Sequence, residues 1–352
     1  MKALMRLSEK AYHMDLTEVE DPVLPEDNWV KVKIAYSGIC GGSDIKFMRA
    51  DLIPGSSKLK PPVILGHEAS GTVIETKSKI SRVAVGQKVT VDTVIDPCGM
   101  CEYCRSGKPD MCRNRKSLGS DFNGSFAEYL VCPETNILPH PKNVSLRLRV
   151  LAEPMACGVH IVYDMARIRQ NEKVIIIGPG TIGLCCAVAA LDAGAEVVVI
   201  GTENGKERLQ TAQKLGCNTI VNQDIDKIEK IWKEQTADVV IDAVGSNRAV
   251  DQGLGLLKRG GRLVIGGVPF TDKQKYLVDI DLLYRNQLQI LAGRSSHPYN
   301  WDIALHLLEK YSAKIEKLIT EIFPMEQWKE GFMAARDKKV IKALIRFDQG
   351  EE

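Results

Sequence analysis

Residues 173–183 read KVIIIGPGTIG, and this stretch decides the fold of the second half of the chain. KVIII is a run of β-branched residues typical of a buried strand, and the glycines after it match G-x-G-x-x-G at the start of a helix. The first glycine permits a tight turn, the second admits a pyrophosphate close to the backbone, and the third lets helix and strand pack closely. The diphosphate of a dinucleotide then lies at the helix N-terminus. The predicted phosphate-binding residues are Gly178, Gly180, Thr181, Ile182 and Gly183.

The segments around this loop alternate between strand and helix patterns. The apolar runs EVVVIG, DVVIDAVG, GRLVIGG and LQILAG are separated by helical patterns such as LCCAVAALDAG and KERLQTAQKLG. Near-continuous Val and Ile runs are typical of parallel strands that are buried on both faces. We therefore predict an α/β domain with a doubly wound parallel sheet over residues 153–293.

The end of the second strand of this domain selects between NAD and NADP. An acidic residue there binds the ribose 2′-hydroxyl of NAD, but the expected position is Gly201 and the nearest carboxylate is Glu203. Arg208 favours a 2′-phosphate and Glu203 repels one, and this balance of charge predicts NAD, with NADP as the alternative. Glu203 is equally interpretable as a solvated loop residue. The other predicted cofactor residues are Thr202, Val244, Gly245 and Val268.

The regions on either side of this domain have a different pattern. Residues 1–152 contain short runs of strand-forming residues, among them WVKVKIAYSGI and GSFAEYLVC, broken by glycine and proline. This pattern predicts a β-rich domain. Residues 294–352 contain two helical patterns, WDIALHLLEKY and EQWKEGFMAARD, and a last strand, KALIRF.

Four cysteines are clustered with the spacing C-x2-C-x2-C-x7-C at Cys98, Cys101, Cys104 and Cys112. Four thiolates on one short loop can enclose a Zn²⁺ ion in a closed tetrahedron, which is a structural site. Disulfides are one alternative. An iron–sulfur cluster is another, although its usual bacterial run has three residues before the last cysteine. The spacing favours structural zinc.

A second set of possible metal ligands comes from three separate segments. Cys40 lies in SGICGGSD, His67 and Glu68 lie in LGHEASG, and Glu153 lies in LAEPMACGVH. Each has an ordinary explanation, since a single His is often a hydrogen-bonded core residue and Glu153 suits a helix N-terminus. Together they supply the three protein ligands and the open position that a catalytic zinc needs.

Composition excludes several classes of function. The 352 residues carry a formal net charge of +2, from 47 basic and 45 acidic side chains. Without a basic surplus, binding to nucleic acid has no electrostatic basis. No apolar run reaches the length of a membrane span, and the first residues, MKALMRLSEKAYHM, are too charged for a secretory signal. We expect a cytoplasmic protein without membrane or nucleic-acid partners.

Together these motifs resemble the zinc-dependent medium-chain dehydrogenases over essentially the whole chain, most closely the sorbitol (polyol) and L-threonine dehydrogenase branch. The resemblance implies a GroES-like catalytic domain over residues 1–152, a Rossmann domain over 153–293, and a return to the catalytic domain over 294–352. It implies two zinc ions per chain, the catalytic one held by Cys40, His67 and either Glu68 or Glu153. It also implies a homodimer or homotetramer that transfers a hydride between a small secondary alcohol (a polyol, sugar or hydroxy-amino acid) or its ketone and the nicotinamide cofactor.

The chain departs from this family near the catalytic cysteine. The family has C-G-S-D or C-G-T-D, in which the hydroxyl relays the proton of the alcohol, whereas this chain has Cys40-Gly41-Gly42-Ser43-Asp44 with one extra glycine. Ser43 is therefore either the relay or a plain turn residue. Further along, Ser296 takes the position of an Arg of the polyol branch, and Arg294 and His297 line either the substrate pocket or a surface loop.

Two other functions are compatible with parts of the pattern. One is a zinc-independent quinone or enone reductase with the same fold, although such relatives typically lack the Cys/His/Glu set. The other is a non-catalytic protein that binds zinc and a nucleotide. We expect the zinc-dependent oxidoreductase because both metal constellations and the dinucleotide loop occur in one chain.

Overall fold

The computed structural model describes residues 1–50, 61–77, 83–139, 143–232, 236–267 and 275–347. Two compact units divide the chain. The first comprises Met1–Glu153, His297–Ser312 and Ile319–Glu352, and the second comprises Pro154–Ser296 and Ala313–Leu318. No helix in the described ranges is both long enough and apolar enough to cross a membrane.

The N-terminal part of the first unit is mostly β-structure. Its strands are β1 (Lys2–Arg6), β2 (Met14–Glu18), β3 (Trp29–Gly38), β4 (Val63–Ile64), β5 (Glu68–Thr76), β6 (Lys88–Val91), β7 (Val94–Ile95), β8 (Lys116–Ser117), β9 (Tyr129–Pro133) and β10 (Ile137–Pro139). Its helices are α1 (Ser43–Met48), α2 (Glu102–Arg105), α3 (Leu146–Arg149) and α4 (Ala152–Val159), the last of which continues into the second unit.

The second unit carries the alternating strands and helices predicted from its sequence. Its strands are β11 (Lys173–Ile177), β12 (Glu196–Gly201), β13 (Asn218–Val221), β14 (Ala237–Asp242), β15 (Leu257–Ile265) and β16 (Gln289–Ala292). Its helices are α5 (Thr181–Asp192), α6 (Lys206–Leu215), α7 (Ile228–Ile231), α8 (Asn247–Gly255) and α9 (Ile280–Asn286).

The C-terminal elements are α10 (Pro298–Lys310), α11 (Ser312–Ile315), β17 (Ile319–Pro324), α12 (Trp328–Arg336) and β18 (Lys342–Arg346).

A seven-stranded sheet forms the core of the first unit, in the order β10-β6-β5-β3-β18-β17, with β9 also paired to β3. Along the first half of β3 buried Val30, Val32 and Ile34 alternate with lysines, as expected for a strand with one face in the core. The C-terminal strand β18 pairs antiparallel with the end of β3, with Leu344 opposite Gly38. Residues from both ends of the chain therefore meet where β3 ends.

A six-stranded parallel sheet forms the second unit, in the order β13-β12-β11-β14-β15-β16. Val174, Ile175 and Ile176 of the central strand β11 have no exposed surface, because helices cover both faces. The order reverses between β11 and β14, and ligands of such sheets bind in the crevice at the carboxyl ends of the strands there. Helix α6 ends at Gly216, whose φ of 114° is the left-handed cap that glycine adopts easily.

Candidate active site

The four clustered cysteines lie in the first unit as one compact group of thiols. Cys98 Sγ lies 4.0 Å from Cys104 Sγ and 3.6 Å from Cys112 Sγ, and Cys101 Sγ lies 3.5 Å from Cys104 Sγ. A tetrahedral zinc with bonds of about 2.3 Å separates its sulfur ligands by about 3.8 Å. None of the ten cysteines forms a disulfide, so the disulfide alternative is wrong. The donor set fits a closed zinc site.

Backbone amides support this group of thiols. The N–H groups of Cys98, Cys101 and Cys104 donate to sulfur atoms of the same group at 3.4 to 3.5 Å. Such bonds stabilise thiolates, which are the form that binds a metal. Helix α2 begins after Cys101, whose Sγ caps the helix by accepting the Cys104 amide, so the local chain path itself orients two of the four ligands.

Cys40, His67 and Glu68 form the second candidate metal site, also in the first unit. Each offers a ligand atom that lies within 4.8 Å of the others. The sheet register brings them together, because β3 and β5 pair antiparallel with Gly38 opposite Glu68. A side chain at position 38 would collide with the Glu68 carboxylate. One sulfur, one imidazole and one carboxylate are a donor set that zinc binds.

Asp44 holds two of these ligands in place, and the sequence reasoning missed it. Its carboxylate accepts the Cys40 N–H at 2.8 Å and lies 3.6 Å from Nδ1 of His67. Burial raises the pKa of Asp44 to about 6, against the opposing effect of His67. Burial alone would lower the pKa of His67, but the charge of Asp44 and contacts with Cys40 raise it well above its usual value. A carboxylate behind a metal-binding imidazole fixes the orientation and the tautomer of the ring. This rule could have pointed to Asp44 as a partner of His67 from the sequence alone.

Ser43 lies beside the same imidazole despite the extra glycine. Its Oγ is 3.4 Å from Nε2 of His67, on the side of the ring opposite Asp44. Helix α1 begins at Ser43, with Gly42 as its N-cap. The additional residue is thus absorbed in the bend between Cys40 and α1, and the hydroxyl still reaches the site.

Glu68 has a partner that sequence reasoning also missed. Lys342 of β18 donates to both of its carboxylate oxygens and to the backbone carbonyl of Ile39 at 3.1 Å. Both side chains are buried, with 2% and 1% of their surface exposed. Burial lowers the pKa of Lys342, but the Glu68 charge and the nearby Cys40 raise it overall. Nothing in KALIRF distinguishes this lysine from an ordinary strand residue.

Glu153 is near this site but does not join the ligand group. It is the second residue of α4, and its charge contributes to raising the pKa values of His67 and Lys342. The atoms that lie within 4.8 Å of one another are those of Cys40, His67 and Glu68. The structure therefore brings together three of the four predicted ligands and leaves Glu153 farther out.

The glycine loop of the second unit has the geometry predicted from its motif. Gly178 has a φ of 106°, and a Cβ there would lie 2.7 Å from Val244. Gly180 is the N-cap of α5, and a Cβ on it would meet no described atom within 4 Å. A Cβ on Gly183 would collide with the Gly178 carbonyl. The three glycines thus provide the turn, the open approach for a phosphate and the close packing that the motif requires.

The chain matches known proteins along its whole length. Residues 26–142 match the profile of the alcohol dehydrogenase GroES-like domain, and residues 181–310 match the zinc-binding dehydrogenase domain. D-arabitol-phosphate dehydrogenase of Enterococcus avium is 34% identical, over 99% of each chain. Sorbitol dehydrogenase of Halalkalibacterium halodurans is 31% identical, over 98% of this chain and 99% of its own. The chain belongs to the zinc-dependent medium-chain alcohol dehydrogenase family.

A solved structure supports the same assignment. That structure is of a protein from Sinorhizobium meliloti 1021, described as a zinc-binding dehydrogenase and bound to NADP. Its sequence is 27% identical to this chain and the two structures superpose with a TM-score of 0.86, over 98% of this chain and 99% of the other. The fold of this dehydrogenase is the expected combination of a GroES-like domain with a Rossmann domain. It is a zinc-dependent alcohol oxidoreductase that uses a nicotinamide cofactor.

The other predicted cofactor residues of this dehydrogenase surround the carboxyl ends of β12 and β14. Glu203 follows Thr202 after β12 and forms an exposed ion pair with Lys206. Burial lowers the pKa of Arg208 on α6. The amides of Val244 and Gly245 donate to the buried Asp242 carboxylate at 2.8 and 3.0 Å. Val268 lies outside the described residues.

His297 has a structural partner within the first unit. Its Nδ1 lies 2.6 Å from an Asp110 carboxylate oxygen, and both side chains are buried. Asp110 lies in the loop that ends at Cys112, and His297 is the N-cap of α10. This contact joins the cysteine loop to the start of α10, a role that the sequence reasoning did not assign to His297.

Proposed function

We propose that this dehydrogenase oxidises a secondary alcohol of the polyol class, with NAD⁺ as hydride acceptor and a catalytic zinc held by Cys40, His67 and Glu68. The observation that carries the proposal is the cluster of these three ligand atoms, braced by Asp44. When bound, zinc supplies Lewis-acid chemistry that lowers the pKa of a coordinated hydroxyl. Glu153 lies outside this group of three, so it would bind the zinc through a water molecule or face the substrate.

The protein's own residues position the substrate hydroxyl and remove its proton. Ser43 Oγ lies 3.4 Å from Nε2 of His67, and its hydroxyl would serve as the relay that passes the proton of a bound alcohol to solvent. Asp44 keeps the His67 ring in one orientation. Lys342 offsets the charge of Glu68 and fixes its carboxylate from the opposite side.

The substrate class rests on relatives as well as on the site. Relatives named for arabitol phosphate and sorbitol favour a polyol or its phosphate, and the metal site suits any secondary alcohol. The deciding experiment is a panel of D-arabitol, D-arabitol phosphate, sorbitol, L-threonine and propan-2-ol, each with NAD⁺ and NADP⁺, followed by absorbance of the reduced cofactor. If the zinc-loaded protein oxidises none of these alcohols, the proposal is contradicted.

NAD is the proposed cofactor, with NADP as the alternative tested in the same panel. Glu203 is the acidic side chain nearest the end of β12, and its charge opposes a 2′-phosphate. Lys206 offsets part of that charge through the exposed ion pair. Faster turnover with NADP⁺ than with NAD⁺ would reverse this assignment.

The cysteine group is proposed to hold a second, structural zinc. Its sulfur separations support a tetrahedral site without an open position. A chain with ten cysteines and no disulfide supports the proposal of a reducing, cytoplasmic location. Metal analysis of the purified protein is expected to give two zinc ions per chain, and one ion that survives loss of Cys40 identifies the structural site.

A homodimer or homotetramer is the proposed assembly, and exposed apolar side chains of the second unit support it. Leu277 precedes α9, and Ile280 and Tyr284 lie four residues apart within it; the three side chains are 82%, 69% and 83% exposed. The neighbouring β16 is an edge strand of the six-stranded sheet. Exposed apolar stripes beside an unpaired edge favour association with a second copy. Sedimentation of Tyr284→Lys against wild type tests this surface, and an unchanged mass for the variant contradicts it.

A further inference from the structure

The bend between Cys40 and α1 contains two glycines that the backbone does not need. Gly42 has φ −93° and ψ −78°, close to the right-handed region open to every residue. Gly41 is not among the residues with positive φ. Glycine in such positions loses more conformational freedom on folding than alanine would. The two glycines must therefore have another reason.

Close packing is not that reason. A Cβ on Gly41 would meet no described atom within 4 Å, and one on Gly42 would meet only Cys40 Sγ, at 3.8 Å. The glycines at the ends of neighbouring strands differ, since a Cβ on Gly66 would lie 2.8 Å from Ser125 Oγ and one on Gly38 would strike Glu68. Among these positions only the Gly41–Gly42 bend leaves open space, and that space borders the sulfur of the candidate metal site.

We infer that Gly42 sets the room beside the metal-binding sulfur for the non-reacting carbon chain of the substrate, which makes it a specificity-determining residue. The inference rests on the proposed function. A secondary alcohol carries two carbon substituents on the reacting carbon, so an alcohol held at the metal needs space on two sides. The space beside Cys40 Sγ, just before the helix that begins at Ser43, provides one of them.

The test compares Gly42→Ala and Gly42→Val with the matched control Gly41→Val, whose side chain would enter open space. With NAD⁺ saturating, we expect Gly42→Val to raise KM for the best polyol about tenfold or more, the range that one or two methylenes produce in a fitted pocket. We expect its KM for propan-2-ol, its kcat and its zinc content to stay within about twofold of wild type. Gly42→Ala should show a smaller effect in the same direction, and Gly41→Val none.

Cobalt substitution gives a readout that does not depend on turnover. The visible spectrum of Co²⁺ at the catalytic site is titrated with the polyol in the absence of cofactor. We expect the dissociation constant of the Gly42→Val protein to rise by the same factor as its KM, and that of Gly41→Val to equal wild type. A polyol that shifts the wild-type spectrum but not the Gly42→Val spectrum supports the inference even when no alcohol in the panel is turned over, an outcome that contradicts the proposed function alone.

Three results overturn the inference. Equal losses for the polyol and propan-2-ol mean that the substitution disturbs the metal and not the room beside it. A raised KM for NAD⁺ with an unchanged dissociation constant for the polyol assigns the space to the cofactor. If Gly42→Val and Gly41→Val have equal effects, position 42 has no particular role in substrate specificity.

Discussion

Lys342 donates to Glu68 with its Nζ 2.7 Å from Oε1 and 2.6 Å from Oε2, across 274 positions of the chain. Strand β18 makes the contact possible because it pairs with β3, beside the residues that hold the candidate metal. Almost none of either side chain is exposed. A buried ion pair of this kind fixes geometry more surely than it adds stability, but removing one partner leaves an uncompensated charge.

Replacement of Lys342 with Met is expected to lower the free energy of unfolding by about 3–5 kcal/mol, because the Glu68 carboxylate then stays buried without a partner. Urea denaturation of the metal-free protein measures the change. Lys342→Arg keeps the charge and should lose less, and the double variant with Glu68→Gln should recover part of the loss. Equal stability of Lys342→Met and wild type means that Glu68 and Lys342 do not form a buried ion pair.

Asp44→Asn is expected to weaken zinc binding at the catalytic site by about 10–100-fold, since the charge behind His67 is lost while the acceptor for the Cys40 amide remains. Competition with a chromophoric chelator measures the affinity. Asp96→Asn is the control, because Asp96 is exposed and forms a surface ion pair with Lys116. An Asp44→Asn protein with wild-type zinc affinity rules out the bracing role.

Cys40→Ser and Cys101→Ser should have opposite consequences. Cys40→Ser removes a ligand from the proposed catalytic site, so we expect one zinc ion per chain in place of two, loss of turnover, and a folded protein. Cys101→Ser opens the closed site and should destabilise the protein, because structural zinc contributes folding free energy. Metal analysis and thermal unfolding separate the two. Full turnover by Cys40→Ser contradicts the catalytic assignment.

Asp110→Ala should destabilise the first unit by about 1–3 kcal/mol, because the buried His297 ring loses its hydrogen bond to Asp110. Chemical denaturation measures the loss. Lys116→Met, which removes an exposed ion pair, should change stability little. If the two variants behave alike, the contact between Asp110 and His297 does not hold the cysteine loop against α10.

Glu203→Gln is expected to raise kcat/KM with NADP⁺ relative to NAD⁺ by about tenfold, because the charge that repels the 2′-phosphate is removed while Lys206 and Arg208 remain. Initial rates with both cofactors at a fixed alcohol concentration measure the ratio. Glu207→Gln, in the first turn of α6, is the matched control for loss of a nearby charge. An unchanged ratio supports the interpretation of Glu203 as a solvated loop residue.

Local sequence patterns carried the prediction of the fold. KVIIIGPGTIG, with strand and helix patterns on either side, is enough to predict the parallel sheet, because buried parallel strands need continuous Val and Ile runs and the loop needs its three glycines. Helices α6, α10 and α12 and strand β18 also lie where their patterns predicted them. Patterns of this kind are short-range, so one sequence window contains all the residues that decide them.

The cysteine site was accessible from sequence for the same reason, since all four ligands fall within one loop. The second metal site required residues from separate segments, and the pattern gave only the types of ligand. Pairing of β3 with β5 selected Glu68 for the compact group and left Glu153 outside it. Sheet register is a tertiary property, so spacing along the chain cannot supply it.

The sequence by itself determined which side chains are able to bind zinc and a dinucleotide, because composition and spacing set their chemistry. Only the tertiary structure decided which of them work together and what braces them. Lys342 has no motif of its own, and both Lys342 and Asp44 gain their roles from residues that folding brings near, Glu68 and His67. Buried charges need partners, and the partner of Glu68 is supplied here by the last strand of the chain, β18, which pairs beside β3.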